Sequence, residues 1–437
     1  MTELAGDEHS LDSPATGTAA AEEERAAHVP AARVSDDGSG ASRVLGGVWA
    51  AGFRAALPAW VVAHLLIIFI QDLAQRVTPA FPAQVHDRPE LHHIFNQLYT
   101  WDTAWYLGLA QTGYSGMPSD GVRFWPLFPL VTRTVAGVGV PAAIAVLGVC
   151  WVAALLLGVL MYRLALTVGM DAVAARRAAW LSQLAPGAFV LVMGYTEALA
   201  ALLAAVYLIA IRNTAVRRGL WGGDAALGTA ATGRWVWAWH AAAIVAGIGS
   251  GLVRPTGFLL AAAGAVEALR QWREPVTHVL TRILVAVSPI LGNALFLNWS
   301  HTVYGNYMLP YSIQRLVNLR GTVASNPFDA VLDSLNQVGN GAGAFTIVLV
   351  VASLGLLWLC ARRLPLSFTA WTAVTLASVI TAPHFSSFAR YSSGVLPLLL
   401  AAAMLVRDWR RWAWVVCLSA GLCAYFAYQS FIGIYVP

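Results

Sequence analysis

Apolar runs long enough to cross a lipid bilayer recur from residue 55 to the C-terminus of this 437-residue chain. No other feature restricts the fold as strongly. About 20 apolar residues in a helix span the roughly 30 Å hydrocarbon layer, and within it every backbone polar group must be satisfied by the chain itself. About eleven helices are expected, at 55–71, 141–162, 178–193, 196–211, 236–253, 256–270, 283–299, 345–361, 366–382, 394–406 and 412–434. The pairs 178–211 and 236–270 are tightly joined. Charged residues make up only 11% of the chain, about half the share of a soluble domain. That excludes a soluble enzyme and a disordered chain, and the recurrence of the runs excludes a single anchor. The expected class is an all-α polytopic membrane protein.

Charge divides the chain further. Residues 1–40 hold 9 of the 22 acids and almost no large apolar side chain. Such a composition cannot bury a core, so residues 1–45 are expected to form a disordered cytoplasmic tail, and 46–437 the transmembrane domain. The tail has no basic segment leading into an apolar core, so it does not read as a signal peptide, and the first span is expected to remain uncleaved. All 27 basic residues are Arg. With the N-terminus cytoplasmic, 17 of the 25 arginines beyond the tail fall on the inner side and 8 on the outer. The pairs at 176–177, 217–218, 362–363 and 410–411 all lie inside, as the positive-inside rule requires. A basic excess of this kind points to a membrane and not to nucleic acid. The four cysteines lie in apolar runs without metal-ligand spacing and are expected as small buried hydrophobes.

This orientation places two long loops outside, about 72–140 and 300–344. The inner loops are short and basic. None carries a P-loop or a dinucleotide fingerprint, so nucleotide chemistry has no visible home inside. The outer first loop reads Tyr99-Thr-Trp101-Asp102-Thr-Ala-Trp105-Tyr106, then Gly113-Tyr114, then Arg123-Phe-Trp125-Pro-Leu-Phe128-Pro129. Trp101, Trp105 and Tyr106 form a stripe at helical spacing. On their own these rings read as an interfacial aromatic belt, with Asp102 capping a short helix. Asp102 is also the one acid between Glu90 and Asp120, set among aromatics. A partly desolvated carboxylate of this kind suits a general base.

Three further charges fall at apolar helix ends on the same side: Glu197 after Gly194-Tyr-Thr, Arg254 before Pro255-Thr-Gly257, and Arg390 before Tyr391. Charges there are costly and either pair or mark a site. A Glu–Arg pair holding helices together is one reading. An anionic ligand for the two arginines is the other, because a guanidinium offers a planar fork of donors suited to phosphate. His92, His93, His301 and His384 read as interfacial polar residues, and Asp329 and Asp333 as an exposed helix face. No metal-binding signature is present, and no cofactor is called for.

Together, Trp101-Asp102, Trp105-Tyr106, Gly113-Tyr114 and the Phe124–Pro129 run resemble the PIG-V type of mannosyltransferase, the second mannosyltransferase of GPI-anchor synthesis, which has bacterial relatives. Tyr195-Thr-Glu197, Arg254 and Arg390-Tyr391 with Pro397 fit the same order. The resemblance spans roughly 95–400; the tail lies outside it. It implies a C-type glycosyltransferase: a multi-span protein, with short interfacial helices in a long first loop, that takes a polyprenyl-phosphate sugar as donor and transfers it with inversion on the external face. By the same resemblance Asp102 is the acidic residue of the first loop, expected as the catalytic base, and Trp101, Trp105, Tyr106, Trp125 and Phe128 shape a pocket beside it, with Glu197 and Tyr391. Arg254 and Arg390 are the candidates for the donor phosphate. The expected partners are the lipid-linked donor, a cell-envelope glycolipid or glycan acceptor and membrane lipids, with the plasma membrane as location. A transporter or flippase of an anionic or lipid-linked substrate is the competing class. The sequence shows no second-half repeat of the first half and no clear sign of the broken midplane helices common in transporters.

Overall fold

The computed structural model describes residues 38–77, 95–214, 234–272, 275–316, 342–381, 387–406 and 408–434. Two compact units divide the chain, Met1–Gly47 and Val48–Pro437; of the first, residues 38–47 are described and are helical. Residues 1–37 of the expected tail, His92, His93, His384, Asp329, Asp333 and the second-loop residues 317–341 lie outside the described residues.

Among the described residues all regular structure is helical. Helix α1 covers Gly38–Val77. The first loop then holds the 3₁₀ turn Asn96–Tyr99, α2 (Asp102–Thr112), two more 3₁₀ turns and the short α3 (Leu127–Ala136). There follow α4 (Ala142–Thr167), α5 (Ala172–Leu184), α6 (Glu197–Thr214), α7 (Arg234–Val253), α8 (Ala261–Arg270) and α9 (Val276–Tyr304). The last part comprises α10 (Ala342–Arg363), α11 (Leu366–Ile380), α12 (Phe388–Ser393), α13 (Leu396–Leu405) and α14 (Trp409–Phe431).

Seven of these, α1, α4, α6, α7, α9, α10 and α14, contain stretches long and apolar enough to cross a membrane. They match seven of the eleven expected spans. The other four fold as shorter or broken helices. The run at 178–193 is cut at Pro186: α5 stops at Leu184, and Ala185 is extended (φ −57°, ψ 154°), as a residue before proline is driven to be. The run at 256–270 starts as the 3₁₀ turn Pro255–Leu260 and only then becomes α8. Helices α11 and α13 have 15 and 10 residues, about 22 and 15 Å of rise. Hydropathy sums apolar side chains and does not register such breaks.

Helix α4 lies deep in the bundle, with 61% of its most apolar stretch buried, whereas α10 has 22% and turns most of its side chains outward. Helices α7 and α9 pack backbone to backbone. A Cβ on Gly251 would fall on the Pro289 carbonyl, and one on Gly292 on the Ile248 carbonyl. Small residues allow such approach, the usual way helices associate where no hydrophobic effect drives them. Cys150, Cys360 and Cys423 are buried as expected, but Cys417 is exposed. It sits on a face of α14 left exposed among the described residues, and apolar sequence alone does not tell an outward-facing position from a core one.

Candidate active site

Local sequence sets the direction of each charged residue. Pro255 forces Arg254 into extended backbone (φ −162°, ψ 159°), which ends α7 at Val253 and carries the arginine off the helix axis. Glu197 is the first residue of α6. Arg390 lies on α12, and that short helix is pinned against the break after α5. The Gly187 amide donates to Ser393 Oγ at 2.9 Å, and a Cβ on Gly187 would fall on the Ala389 carbonyl. Asp102 opens α2 directly after Trp101, whose φ of 58° is the one positive value outside glycine among the described residues. Such backbone is costly and persists where neighbours over-determine it. Here the Trp101 indole N–H donates to the Ser430 carbonyl at 3.1 Å, and the Asp102 amide donates to the Tyr195 hydroxyl at 3.3 Å.

These four charges form one cluster. Arg390 Nη1 donates to Asp102 Oδ2 at 3.0 Å. Its Nε comes within 3.1 Å of Glu197 Oε1, and Arg254 Nη2 lies 3.2 Å from that same oxygen. The Tyr391 ring stands between the arginines, its centroid 4.8 Å from the Arg254 guanidinium and 5.0 Å from that of Arg390. Two acids and two arginines balance. Glu197 and Arg390 are buried, at 3% and 6% exposure, Arg254 is nearly so at 12%, and Asp102 is 30% exposed. The cluster therefore meets its surroundings at the Asp102 carboxylate. Burial first, and then the Asp102 charge, hold the Tyr195 hydroxyl well above the ordinary phenol range, so it stays a neutral partner for the Asp102 backbone.

The aromatic residues divide. Trp125 and Phe128 are fully buried and Tyr106 nearly so; Tyr106 meets Phe124 and Phe128 edge-on. Trp105 stacks on Phe124 at 5.4 Å beneath the Arg123 guanidinium. Tyr106 and Phe128, expected to line a pocket beside Asp102, sit in the main apolar core, and Trp125, expected there too, packs with Val122, Phe296 and Ile313 in a smaller cluster, their large apolar faces gaining from burial. A cavity of about 50 Å³ opens instead beside Glu197, Arg254 and Tyr391, with Ser250, Thr375 and Trp371 further along its wall. A hydrogen-bonded node lies close by. The Trp125 indole donates to Asn293 Oδ1 at 3.1 Å, and the Tyr311 hydroxyl lies 3.2 Å from that oxygen and 3.1 Å from the Pro255 carbonyl. Tyr311 thereby touches the turn that carries Arg254. Sequence reasoning passed over Ser250, Thr375 and Asn293, although a polar residue alone in an apolar helix is a usable signal. Among the described residues no three His, Cys, Asp or Glu side chains gather as metal ligands.

Fold and site thus define a multi-pass helical membrane protein with a neutral four-charge cluster at one end of its helices. Residues 69–253 match the family model described as Mannosyltransferase (PIG-V), the family that the first-loop motif resembles. The matched segment includes Asp102, Glu197 and the helices between them. No curated protein matches the chain. Solved structures similar to it include ArnT from Cupriavidus metallidurans bound to undecaprenyl phosphate, at 12% identity and TM-score 0.48 over 86% of this chain and 76% of that one. The Archaeoglobus fulgidus oligosaccharyltransferase tethered with an acceptor peptide is similar at 15% identity and TM-score 0.42, over 87% of this chain and 55% of that one. The A. fulgidus oligosaccharyltransferase AglB in complex with an inhibitory peptide and a dolichol-phosphate has 13% identity and TM-score 0.43, over 87% of this chain and 56% of that one. The chain thus spans about half the length of these archaeal enzymes.

Proposed function

We propose that this protein transfers a sugar, mannose by family resemblance, from a polyprenyl-phosphate donor to a hydroxyl of a cell-envelope glycolipid or glycan, with inversion. The reaction takes place at the outer face of the plasma membrane, with the N-terminus in the cytoplasm; the arginine distribution supports that orientation. One observation carries the reading: two largely covered arginines converge on a single carboxylate oxygen, and one of them also holds the partly exposed Asp102.

In this reading Asp102 takes the proton of the acceptor hydroxyl. The acceptor oxygen attacks the sugar C1 from the face opposite the phosphate. The bond from C1 to the phosphate oxygen breaks, and its electron pair leaves with the lipid phosphate. The donor phosphodiester carries one charge and the departing phosphate carries up to two. On donor binding Arg390 exchanges Asp102 for the phosphate, which leaves the carboxylate free to act as base, and Arg254 and Arg390, already directed to one point by Glu197, then meet the developing charge. Phosphate leaves more readily than an alkoxide, so no second acid is needed to protonate it, unlike in most glycoside hydrolases.

The test is incubation of the purified protein with polyprenyl-phosphate mannose and a crude envelope lipid acceptor. Release of polyprenyl phosphate together with a mannosylated product supports the reading. Movement of the intact lipid across a vesicle membrane without cleavage makes the protein a flippase and overturns it.

A further inference from the structure

The cavity beside Glu197 and Arg254 has an uneven wall. Most of it is apolar, built from small residues of α6 and from Trp371. Three polar atoms along it, Ser250 Oγ, Thr375 Oγ1 and Arg254 Nε, have no hydrogen-bond partner. Ser250 and Thr375 are only 4% and 9% exposed. Buried polar groups in folded proteins are nearly always paired. Three unpaired ones around a single space mark a place where partners come from outside the chain. One side of the chamber is close-packed backbone. A Cβ on Gly257 would fall on the Ser250 carbonyl, so the turn after Arg254 lies directly on α7 at the residue that presents this hydroxyl.

Chemistry narrows the occupant. A hydrocarbon chain would leave all three polar atoms unpaired, which is the costly way to bury them. Ser and Thr hydroxyls both donate and accept, and Arg254 Nε donates, so the fitting ligand carries several hydroxyls of its own. The volume, about 50 Å³, takes roughly three to five water-sized groups, enough for the hydroxyl-bearing edge of one sugar ring but not for the whole ring. The faces of Tyr391 and Trp371 in the same wall suit the apolar C–H side of such a ring. The chamber touches Arg254, so a ring whose edge enters it lies next to any phosphate the arginines hold.

We propose that this chamber receives the hydroxyl-bearing edge of the hexosyl group of the lipid-linked donor, with Ser250 and Thr375 reading its hydroxyls. The proposal rests on the glycosyltransferase reading above and extends it by naming the residues that distinguish one sugar from another. A site that hydrogen-bonds a substrate hydroxyl discriminates against analogues that lack it or misplace it, because its own polar atoms are then left unpaired.

The experiment uses the full chain in nanodiscs and measures affinity for undecaprenyl phosphate and for its mannose, glucose and galactose derivatives. The unaltered protein is expected to bind one sugar-bearing lipid at least tenfold more tightly than the bare phosphate. Ser250→Ala and Thr375→Val should each reduce that gain about fivefold, the usual worth of one hydrogen bond, with affinity for bare undecaprenyl phosphate unchanged. Should the variants keep the full gain, or weaken bare and glycosylated lipid alike, the chamber has no part in sugar recognition. If the protein binds the bare phosphate but gains nothing from any of the three sugars, the chamber proposal fails and the phosphate role of the arginines stands. If it binds none of the four lipids, the glycosyltransferase reading falls and takes this proposal with it.

Discussion

Arg254 and Arg390, 136 positions apart in the chain, both address one atom, Glu197 Oε1, at 3.2 and 3.1 Å. Two guanidinium groups so close would repel if the acid were absent. Glu197 therefore acts as an internal anion that keeps the pair converged while no phosphate is bound. The two sequence readings of Glu197 and the arginines, a structural ion pair or an anion site, are compatible in this geometry. The same pairing that holds the helix ends together also directs both arginines to a common point.

Asp102→Asn keeps size and removes basicity. Sugar transfer is expected to fall by about two orders of magnitude or more, within the range for loss of a general base, with the melting temperature nearly unchanged because Asp102 is the exposed end of the cluster. Near-normal turnover in this variant would remove Asp102 from the mechanism.

Glu197→Gln removes the internal anion. The arginines then lose a shared charge, so thermal stability should drop. Breaking a buried pair of this kind typically costs about 3–5 kcal/mol. Affinity for undecaprenyl phosphate should rise, since the lipid phosphate no longer competes with Glu197. A variant that is destabilised and also binds the phosphate more weakly would show that Glu197 only assembles the site.

Arg390→Lys is expected to be more damaging than Arg254→Lys. Arg390 uses separate nitrogens on Asp102 and Glu197, and a single ammonium cannot reproduce that fork. Transfer assays on both variants, with undecaprenyl phosphate affinity measured in parallel, test the order. Equal effects would mean that the Arg390–Asp102 contact does not matter to turnover.

Gly187→Ala probes how α12 is placed. The added methyl would strike the Ala389 carbonyl, next to Arg390. Overpacking of this sort costs about 1–3 kcal/mol, and the shift of α12 should lower transfer more than stability alone accounts for. Thermal melts and transfer rates measured below the melting transition separate the two effects.

Tyr195→Phe deletes the hydroxyl that accepts from the Asp102 amide at 3.3 Å. A buried bond lost with its partner left in place costs about 1–3 kcal/mol. The strained turn at Trp101 also loses one of its two anchors, so hydrogen exchange at the start of α2 should accelerate. Unchanged exchange there would mean that the Ser430 contact holds the turn alone.

Membrane class, helical architecture and seven of the spans were legible in the sequence, because bilayer insertion depends on the summed apolarity of one segment and needs no knowledge of its neighbours. The charges at 102, 197, 254 and 390 stood out for the same reason: each is expensive where it lies, whatever surrounds it. Which of them pair is a different kind of fact. That Glu197 serves both arginines, and that Arg390 alone reaches Asp102, follows from how α2, α6, α12 and the turn after α7 come together. The aromatic run from Phe124 to Pro129 identified the loop without revealing that Trp125 and Phe128 would be buried, since a ring at an interface and a ring in a core have the same composition. Only packing left Ser250, Thr375 and Arg254 Nε around a shared space without partners. Segment apolarity is a local sum that a chain carries in its sequence, whereas pairing and cavities belong to contacts between segments that exist only once the helices have packed.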